Sequence, residues 1–472
     1  MILIYYDRLK LTMSIMDLDI SIFKQNYNID KEIRYKYGEI NTPFFLVNKM
    51  LDLIDDTQFS MPNKKWIDIG TGSGYFSIIL YKRLFKGLEI KIKDPVERHS
   101  HIIKNMIYMT EIRKENCDLL EELFGSECNL LKGDFLSSDV LNKFGNIEFD
   151  FVIGNPPYNN NGLKKVPSNN QSNKKEDGIT VWIPFIKKSI DLLKNNGQMV
   201  VIIPSIWLKE DKAKMYNYMF NYKIEYLNCM TNTETNKIFN KYAQTPTCYF
   251  RLIKSKNPGF ITAYDKDIDE YIKWNMRENR PIPLFGYSVL KKINEFVNNT
   301  NQLLICKTNL PSKHSKFSKE KTDIFAYPCI NTCTLTKNKP ELVIEYCNRQ
   351  EAYYGIPKLV MAHKMYGFPY IDIDGIYSIS NRDNYVIYGK TINELQQLKA
   401  FFSTKLALYI FEATRYRMKY LEKYIFELIP DITKLEDFPE LITDETLSKY
   451  FKFTENDIIN INKLHKKTYE WF

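Results

Sequence analysis

Between Tyr37 and about Leu252, short apolar runs of strand length alternate with amphipathic segments of helical length, and this alternation restricts the fold more than any other feature. Candidate strands lie at residues 65–69, 106–111, 129–132, 149–153 and 199–204, and candidate helices near 75–85, 113–124 and 181–193. Parallel strands need a crossover of a dozen or more residues between them, usually a helix. The pattern therefore predicts an α/β domain built on a mostly parallel sheet. The run Asn195-Asn196-Gly197 is expected to stop the third helix, and residues 223–230 and 247–253 read as further strands.

A chain of 472 residues exceeds the roughly 250–300 residues that one core serves, so two large domains are expected. Pro258 and Gly259 mark the seam. The expected division is a helical preface over 1–34, the α/β domain over 35–255 and a mixed α+β domain over 256–472. In the last, residues 288–298 read as a helix, 342–345 and 383–387 as strands, and 393–428 as one long helical run. Residues 159–178 lack any apolar period and are expected to form a mobile loop.

Hydrophobic residues make up 44% and charged residues 26%, which argues against a disordered or membrane-embedded chain. No apolar run reaches the roughly 18 residues of a membrane span, and the N-terminal segment carries acids, so neither signal peptide nor anchor is expected. A net charge of +9 favours a polyanionic partner, with basic residues dense at 311–321 and 413–423; each run also suits a plain solvated face. The eight cysteines show no dense pairing pattern, as in a reducing compartment. Cys329, Cys333 and Cys347, with His363 beyond them, are too widely spaced for a zinc site; free thiols and no metal are expected.

Asp68-Ile-Gly70-Thr-Gly72-Ser-Gly74 follows a strand and opens a helix. Its glycines let the backbone turn sharply and approach a ligand at the carboxyl end of the sheet. They alternate rather than follow the G-x-G-x-x-G spacing of nicotinamide enzymes. Asp68 suits a cationic ligand better than a pyrophosphate. A ribose-binding carboxylate should close the second strand. Glu111 fits, although residues 86–103 then form an insertion, and Asp94 competes at the more usual spacing of about 20 residues. His99 and His101 within the insertion read as packing or loop groups. Asp134, at the end of the third strand, can accept from the amine of an adenine ring, and Phe135 can cover its face.

Asn155-Pro156-Pro157-Tyr158 leaves the apolar strand FDFVIG directly. Two prolines make a rigid extended turn, which can hold a side-chain amide oxygen and a backbone carbonyl pointing the same way. Two acceptors converging on an NH2 group direct its lone pair out of the ring plane toward an electrophile. Tyr158 can stack on a flipped-out base.

In this order, Tyr37-Gly-Glu-Ile-Asn-Thr42-Pro43, Asp68 to Gly74, Asp134-Phe135 and Asn155 to Tyr158 resemble motifs X, I, III and IV of gamma-class N6-adenine DNA methyltransferases of the restriction-modification type. Thr180-Val-Trp182, Asn196-Gly197 and Ile203-Pro204-Ser205 are also similar to that family, and residues 358–387 resemble its recognition region more loosely. The resemblance covers about half the chain. It implies a Rossmann-like S-adenosylmethionine-dependent methyltransferase sheet with a C-terminal mixed α+β target-recognition domain. It implies Thr42 and Pro43 near the methionine part of the cofactor, Asp68, Gly70, Gly72 and Gly74 at the cofactor turn, Glu111 on the ribose, and Asp134 and Phe135 at the cofactor's adenine. Asn155 and the Pro156 carbonyl would hold the target amine, with Pro157 stiffening the turn. Tyr158 would stack on the target base, and Phe239, with Tyr242 as alternative, would cover its other face.

The implied partner is double-stranded DNA, bound by a monomer in a bacterial or infected-cell cytoplasm, with room for a separate cognate restriction endonuclease. Two other readings stand beside it: an RNA or protein-glutamine methyltransferase sharing the same four-residue motif, and a non-catalytic nucleic-acid-binding module on the same fold. Lys164, Lys165, Lys174 and Lys175 of the expected loop would meet phosphates. Replacing them should weaken binding to every DNA sequence alike and flatten its salt dependence, measured as the slope of log affinity against log salt.

Overall fold

The structure is a computed structural model that describes residues 15–16, 30–137, 142–161, 179–243, 245–277, 280–298, 300–336, 339–363, 367–417 and 421–463. Most of the expected preface lies outside the described residues, as do 162–178 of the expected loop with its four lysines. The chain divides into two compact units, one of residues 1–207 and 213–263, the other of 208–212 and 264–472. No helix among the described residues is long and apolar enough to cross a membrane.

In the first unit, helices α1 (Lys31–Tyr37) and α2 (Phe44–Leu51) precede the sheet. The elements β1 (Trp66–Ile69), α3 (Tyr75–Gly87), α4 (Pro95–His101), β2 (Ile107–Glu111), α5 (Lys114–Phe124), β3 (Asn129–Lys132) and β4 (Phe149–Gly154) follow. Then come α6 (Trp182–Leu192), β5 (Leu193–Pro204), α7 (Met215–Phe220), β6 (Tyr222–Met230), α8 (Asn232–Ile238), β7 (Thr247–Lys256) and β8 (Phe260–Asp265). The strands lie in the order β3-β2-β1-β4-β5-β7-β6-β8. Strands β1 to β5 pair in parallel, and β7 runs antiparallel between β5 and β6.

Every residue of β1 and β2 is buried, as expected of central strands covered on both faces by helices. Trp66 of β1 stacks on Phe151 of β4 with ring centroids 3.8 Å apart. Helix α5 buries Cys117, Leu120 and Phe124, one stripe at helical spacing. Strand order reverses between β1 and β4. In an open α/β sheet the crevice outside the carboxyl ends at such a switch point is where ligands bind.

Several expectations shift. Strand β5 begins at Leu193 rather than 199: the stop signal Asn195-Asn196-Gly197 falls in an irregular register between Phe149↔Leu193 and Phe151↔Gln198, where Asn196 takes a positive φ of 62°. The first unit runs to Ala263 rather than 255, because β8 pairs with β6 through Ala263↔Leu227. The insertion carries helix α4 and a π-turn over Ile102–Met106. His99 meets the Tyr81 hydroxyl at 2.8 Å and His101 the Pro62 carbonyl at 2.8 Å, so both serve packing.

The second unit is mixed α+β. It holds two four-stranded sheets, one centred on the antiparallel pair Tyr327–Thr336 and Lys339–Cys347, the other on Lys358–Ala362 and Asn384–Tyr388. Cys329, Cys333 and Cys347 are buried. The long helix expected over 393–428 is instead two helices, Ile392–Phe402 and Lys405–Ala413, followed by a short 3-10 turn at Lys423–Leu428. The apolar stripe continues across the break, which hides it from periodicity. The Thr404 hydroxyl causes it by accepting from the Ala407 amide and starting a new helix.

In the first unit, Asp150 at the start of β4 accepts from Lys64 Nζ at 3.1 Å, the Lys65 amide at 3.0 Å and Lys194 Nζ at 2.9 Å, joining the entrances of β1, β4 and β5. Burial pushes its carboxyl up, but Lys194, the Lys65 amide and Lys64 outweigh burial and hold it below the ordinary range. Its stabilisation is therefore full above the unfolded pKa of about 3.9 and is lost as pH falls through the lowered folded value. Asp150→Asn should destabilise the fold by about 1–2 kcal/mol at neutral pH. In denaturant titrations the difference should shrink below about pH 4.

Candidate active site

Where β1, β2, β3 and β4 end, their following residues enclose a cavity of about 270 Å3. Its wall includes Thr42, Gly70, Gly72, Glu111, Asp134, Phe135, Asn155, Pro156, Pro157, Tyr158 and Phe239. The chain thus gathers into one hollow residues spread over nearly two hundred positions. Pro43, Asp68 and Gly74 stand outside that wall. Pro43 caps α2, its carbonyl accepting from the Leu46 and Val47 amides, and Gly74 caps α3 in the left-handed region.

The glycine turn is held from β2. The Gly70 amide donates to Thr110 Oγ1 at 3.1 Å, and the Gly72 amide to Glu111 Oε2 at 2.7 Å, while Glu111 Oε1 accepts from the Arg113 amide at 2.7 Å. Burial pushes the Glu111 carboxyl above its ordinary range, with the Arg113 amide pulling it back and Glu39 adding to the rise. Each Glu111 oxygen keeps a second lone pair. Asp94, the competitor, is used elsewhere: its carboxylate caps α4 by accepting from the Val96 and Glu97 amides at 2.8 and 2.9 Å.

Asp68 was expected to face a cationic ligand. Only 1% exposed, it sits beneath the turn, accepting from the Ser77 hydroxyl of α3 at 2.7 Å. Burial raises its carboxyl to about 7, with Ser77 opposing and Glu111 adding to the rise. Asp134 is exposed and its Oδ1 accepts from the Leu136 amide at 2.9 Å. Phe135 stacks on Phe185 of α6, ring centroids 5.0 Å apart.

Asn155 carries the most informative geometry. Its Nδ2 donates to the Ile40 carbonyl at 3.2 Å and to Thr42 Oγ1 at 3.0 Å. A carbonyl only accepts, so the amide's NH2 must face Ile40, and this assigns the oxygen to the other side. That oxygen, Oδ1, is buried and has no hydrogen-bond partner among the described residues. The Tyr158 hydroxyl is likewise buried without a partner among them, and burial pushes its ionisation well up. Phe239, 3% exposed, ends α8 on the cavity wall. Tyr242 instead lies under the Arg34 guanidinium, 4.4 Å from its ring centroid.

Sequence reasoning missed Glu39, Arg113 and Phe185, all on the wall. Glu39 pairs with Arg113 at 2.5 Å and accepts from Asn116 Nδ2 at 3.1 Å, clasping the segment before Thr42 onto the end of β2. Both partners are only 12% exposed, so solvent screens the pair weakly. Glu39 lies inside the quoted motif Tyr37 to Pro43, and that membership was its only signal.

Residues 75–239 match the family described as Eco57I restriction-modification methylase. The matched residues, 208–212 apart, lie within the first unit. The chain is 27% identical over 257 residues to the type II methyltransferase M.BstVI of Geobacillus stearothermophilus, covering 49% of this chain and 43% of that protein. It is 30% identical over 197 residues to the type II methyltransferase M.AccI of Acinetobacter calcoaceticus, covering 40% and 32%. It is also 22% identical over 202 residues to a tRNA1(Val) (adenine(37)-N6)-methyltransferase of Porphyromonas gingivalis, covering 42% and 72%. The matches span less than half the length of the two type II relatives.

In the first unit the segment before the glycine turn packs tightly against the turn that follows β4. Gly38 has φ +68°, and a Cβ there would stand 2.0 Å from the Asn159 carbonyl oxygen. Gly38→Ala should therefore push the two segments apart and destabilise the fold by about 1–3 kcal/mol. A melting temperature equal to that of the unsubstituted chain would contradict this packing.

Proposed function

We propose that this chain transfers the methyl group of S-adenosylmethionine to the N6 amine of an adenine in double-stranded DNA. The observation that carries the reading is the unpartnered Asn155 Oδ1, buried in the cavity wall with its amide orientation set from behind. A buried acceptor that meets no donor among the described residues costs stability unless a ligand satisfies it. An exocyclic amine is such a ligand.

The residues present fit the cofactor. Gly70 and Gly72, at φ +68° and +58°, keep the turn open to a close approach, Glu111 offers its remaining lone pairs to a ribose, and Asp134 with Phe135 suits an adenine ring. Bound there, S-adenosylmethionine would supply a methyl on a positively charged sulfur, open to in-line attack by the amine nitrogen; the C–S electron pair would leave on sulfur and the nitrogen's proton would pass to solvent. Asn155 Oδ1 and the Pro156 carbonyl accept the two amine N–H bonds and so aim the lone pair at the methyl. Tyr158 and Phe239 supply the two faces between which a flipped base stacks. The second unit is read as the target-recognition domain, which reads base edges; the chain acts as a monomer, alone or beside a separate restriction endonuclease.

RNA is the second substrate reading, favoured by the match to a tRNA methyltransferase. DNA is preferred because the type II methyltransferases match over up to 257 residues, and because the second unit has the size a sequence reader needs. Purified chain should methylate adenine in duplex DNA and leave tRNA unmodified; the reverse pattern would replace DNA by RNA. Asn155→Ala should lower kcat by about 1000-fold or more while calorimetry still registers S-adenosylmethionine binding. Unimpaired turnover in that variant would refute the catalytic role.

A further inference from the structure

The resemblance gives Thr42 to the cofactor. We infer instead that Thr42 is a positioning residue for Asn155, acting through the catalytic amide; this rests on the methyl-transfer reading above. Thr42 is 2% exposed, and its hydroxyl oxygen takes one N–H of Asn155 Nδ2 at 3.0 Å while the Ile40 carbonyl takes the other at 3.2 Å. A side-chain amide can turn by half a revolution about its last bond and exchange oxygen for nitrogen. Turned that way, Asn155 would present two N–H donors to an amine that also only donates, and transfer would stop. Lone-pair repulsion from the Ile40 carbonyl opposes that turned state. The Thr42 oxygen fixes the plane in which the amide lies, because two partners on two N–H bonds leave no free rotation.

The segment that supplies both partners is itself held at either side. Glu39 clasps it to Arg113 and Asn116, and Gly38 lies against the backbone of Asn159, one residue beyond the catalytic motif. Positions 38 to 42 therefore form a brace behind Asn155. Threonine at 42 is the part of that brace whose contact a side-chain substitution removes cleanly.

The test compares Thr42→Val, which keeps the shape and removes the hydroxyl, with Thr42→Ser, which keeps the hydroxyl. With duplex DNA and S-adenosylmethionine both varied, Thr42→Val should lose about 10- to 100-fold in kcat while KM for S-adenosylmethionine stays within about threefold. Thr42→Ser should stay within about threefold of the unsubstituted chain in both. Thr42→Ala against Thr42→Ser makes the same comparison without the added valine methyl, so a misfolded valine variant does not spare the inference. An unchanged kcat in a variant lacking the hydroxyl overturns it, and so does a loss seen wholly in cofactor KM or affinity. If the unsubstituted chain binds S-adenosylmethionine yet methylates no adenine amine, the methyl-transfer reading itself falls; an active chain with an equally active Thr42→Val sinks only the positioning role.

Discussion

One side-chain amide organises the site. The two N–H bonds of Asn155 are taken by Ile40 and Thr42, and its oxygen is buried in the wall of the cavity with no partner among the described residues. An acceptor placed this way suits a donor that enters the cavity. Because the amide is held from behind, its oxygen does not have to reorient when a ligand enters. Electrostatic preorganisation of this kind contributes to rate by removing reorganisation at the moment of reaction.

The sheet makes that arrangement accessible. Strands β1 and β4 are neighbours at the point where chain order reverses, so their following turns diverge and leave a crevice. The glycine turn leaves β1 and the Asn155 turn leaves β4, and the cavity lies between them. Helix α8 and strand β2 then bring Phe239 and Glu111 to the same hollow. Residues far apart in sequence meet because each terminates an element at the same end of the sheet.

The acids around the turn divide their work by burial. Glu111 is tied to two backbone amides and stays on the wall, whereas Asp68 goes beneath it and pairs with Ser77. Burial raises both carboxyls, Asp68 to about 7. Glu39 stands apart, joined to a guanidinium and turned to structural use. Three carboxylates within one site thus serve as turn anchor, buried support and clasp.

Residues alone determined a good deal. The alternation of strand and helix, the glycine turn after residue 69 and the turn at Asn155 to Tyr158 were legible because each depends on local chemistry: apolar periodicity, backbone freedom and proline rigidity. The order of those turns also fitted a restriction-modification methylase. Local chemistry favoured Glu111 over Asp94, because a helix follows Glu111 directly, but left both in play; the fold uses the Asp94 carboxylate as a helix cap. Local chemistry also did not separate Phe239 from Tyr242 until Tyr242 was found under Arg34. The break at Thr404 escaped notice because a helix cap interrupts backbone hydrogen bonding without disturbing the apolar stripe. The Glu39–Arg113 clasp and the orientation of the Asn155 amide were decided by tertiary structure alone, because a hydrogen bond between residues more than seventy positions apart exists only once the chain has brought them together.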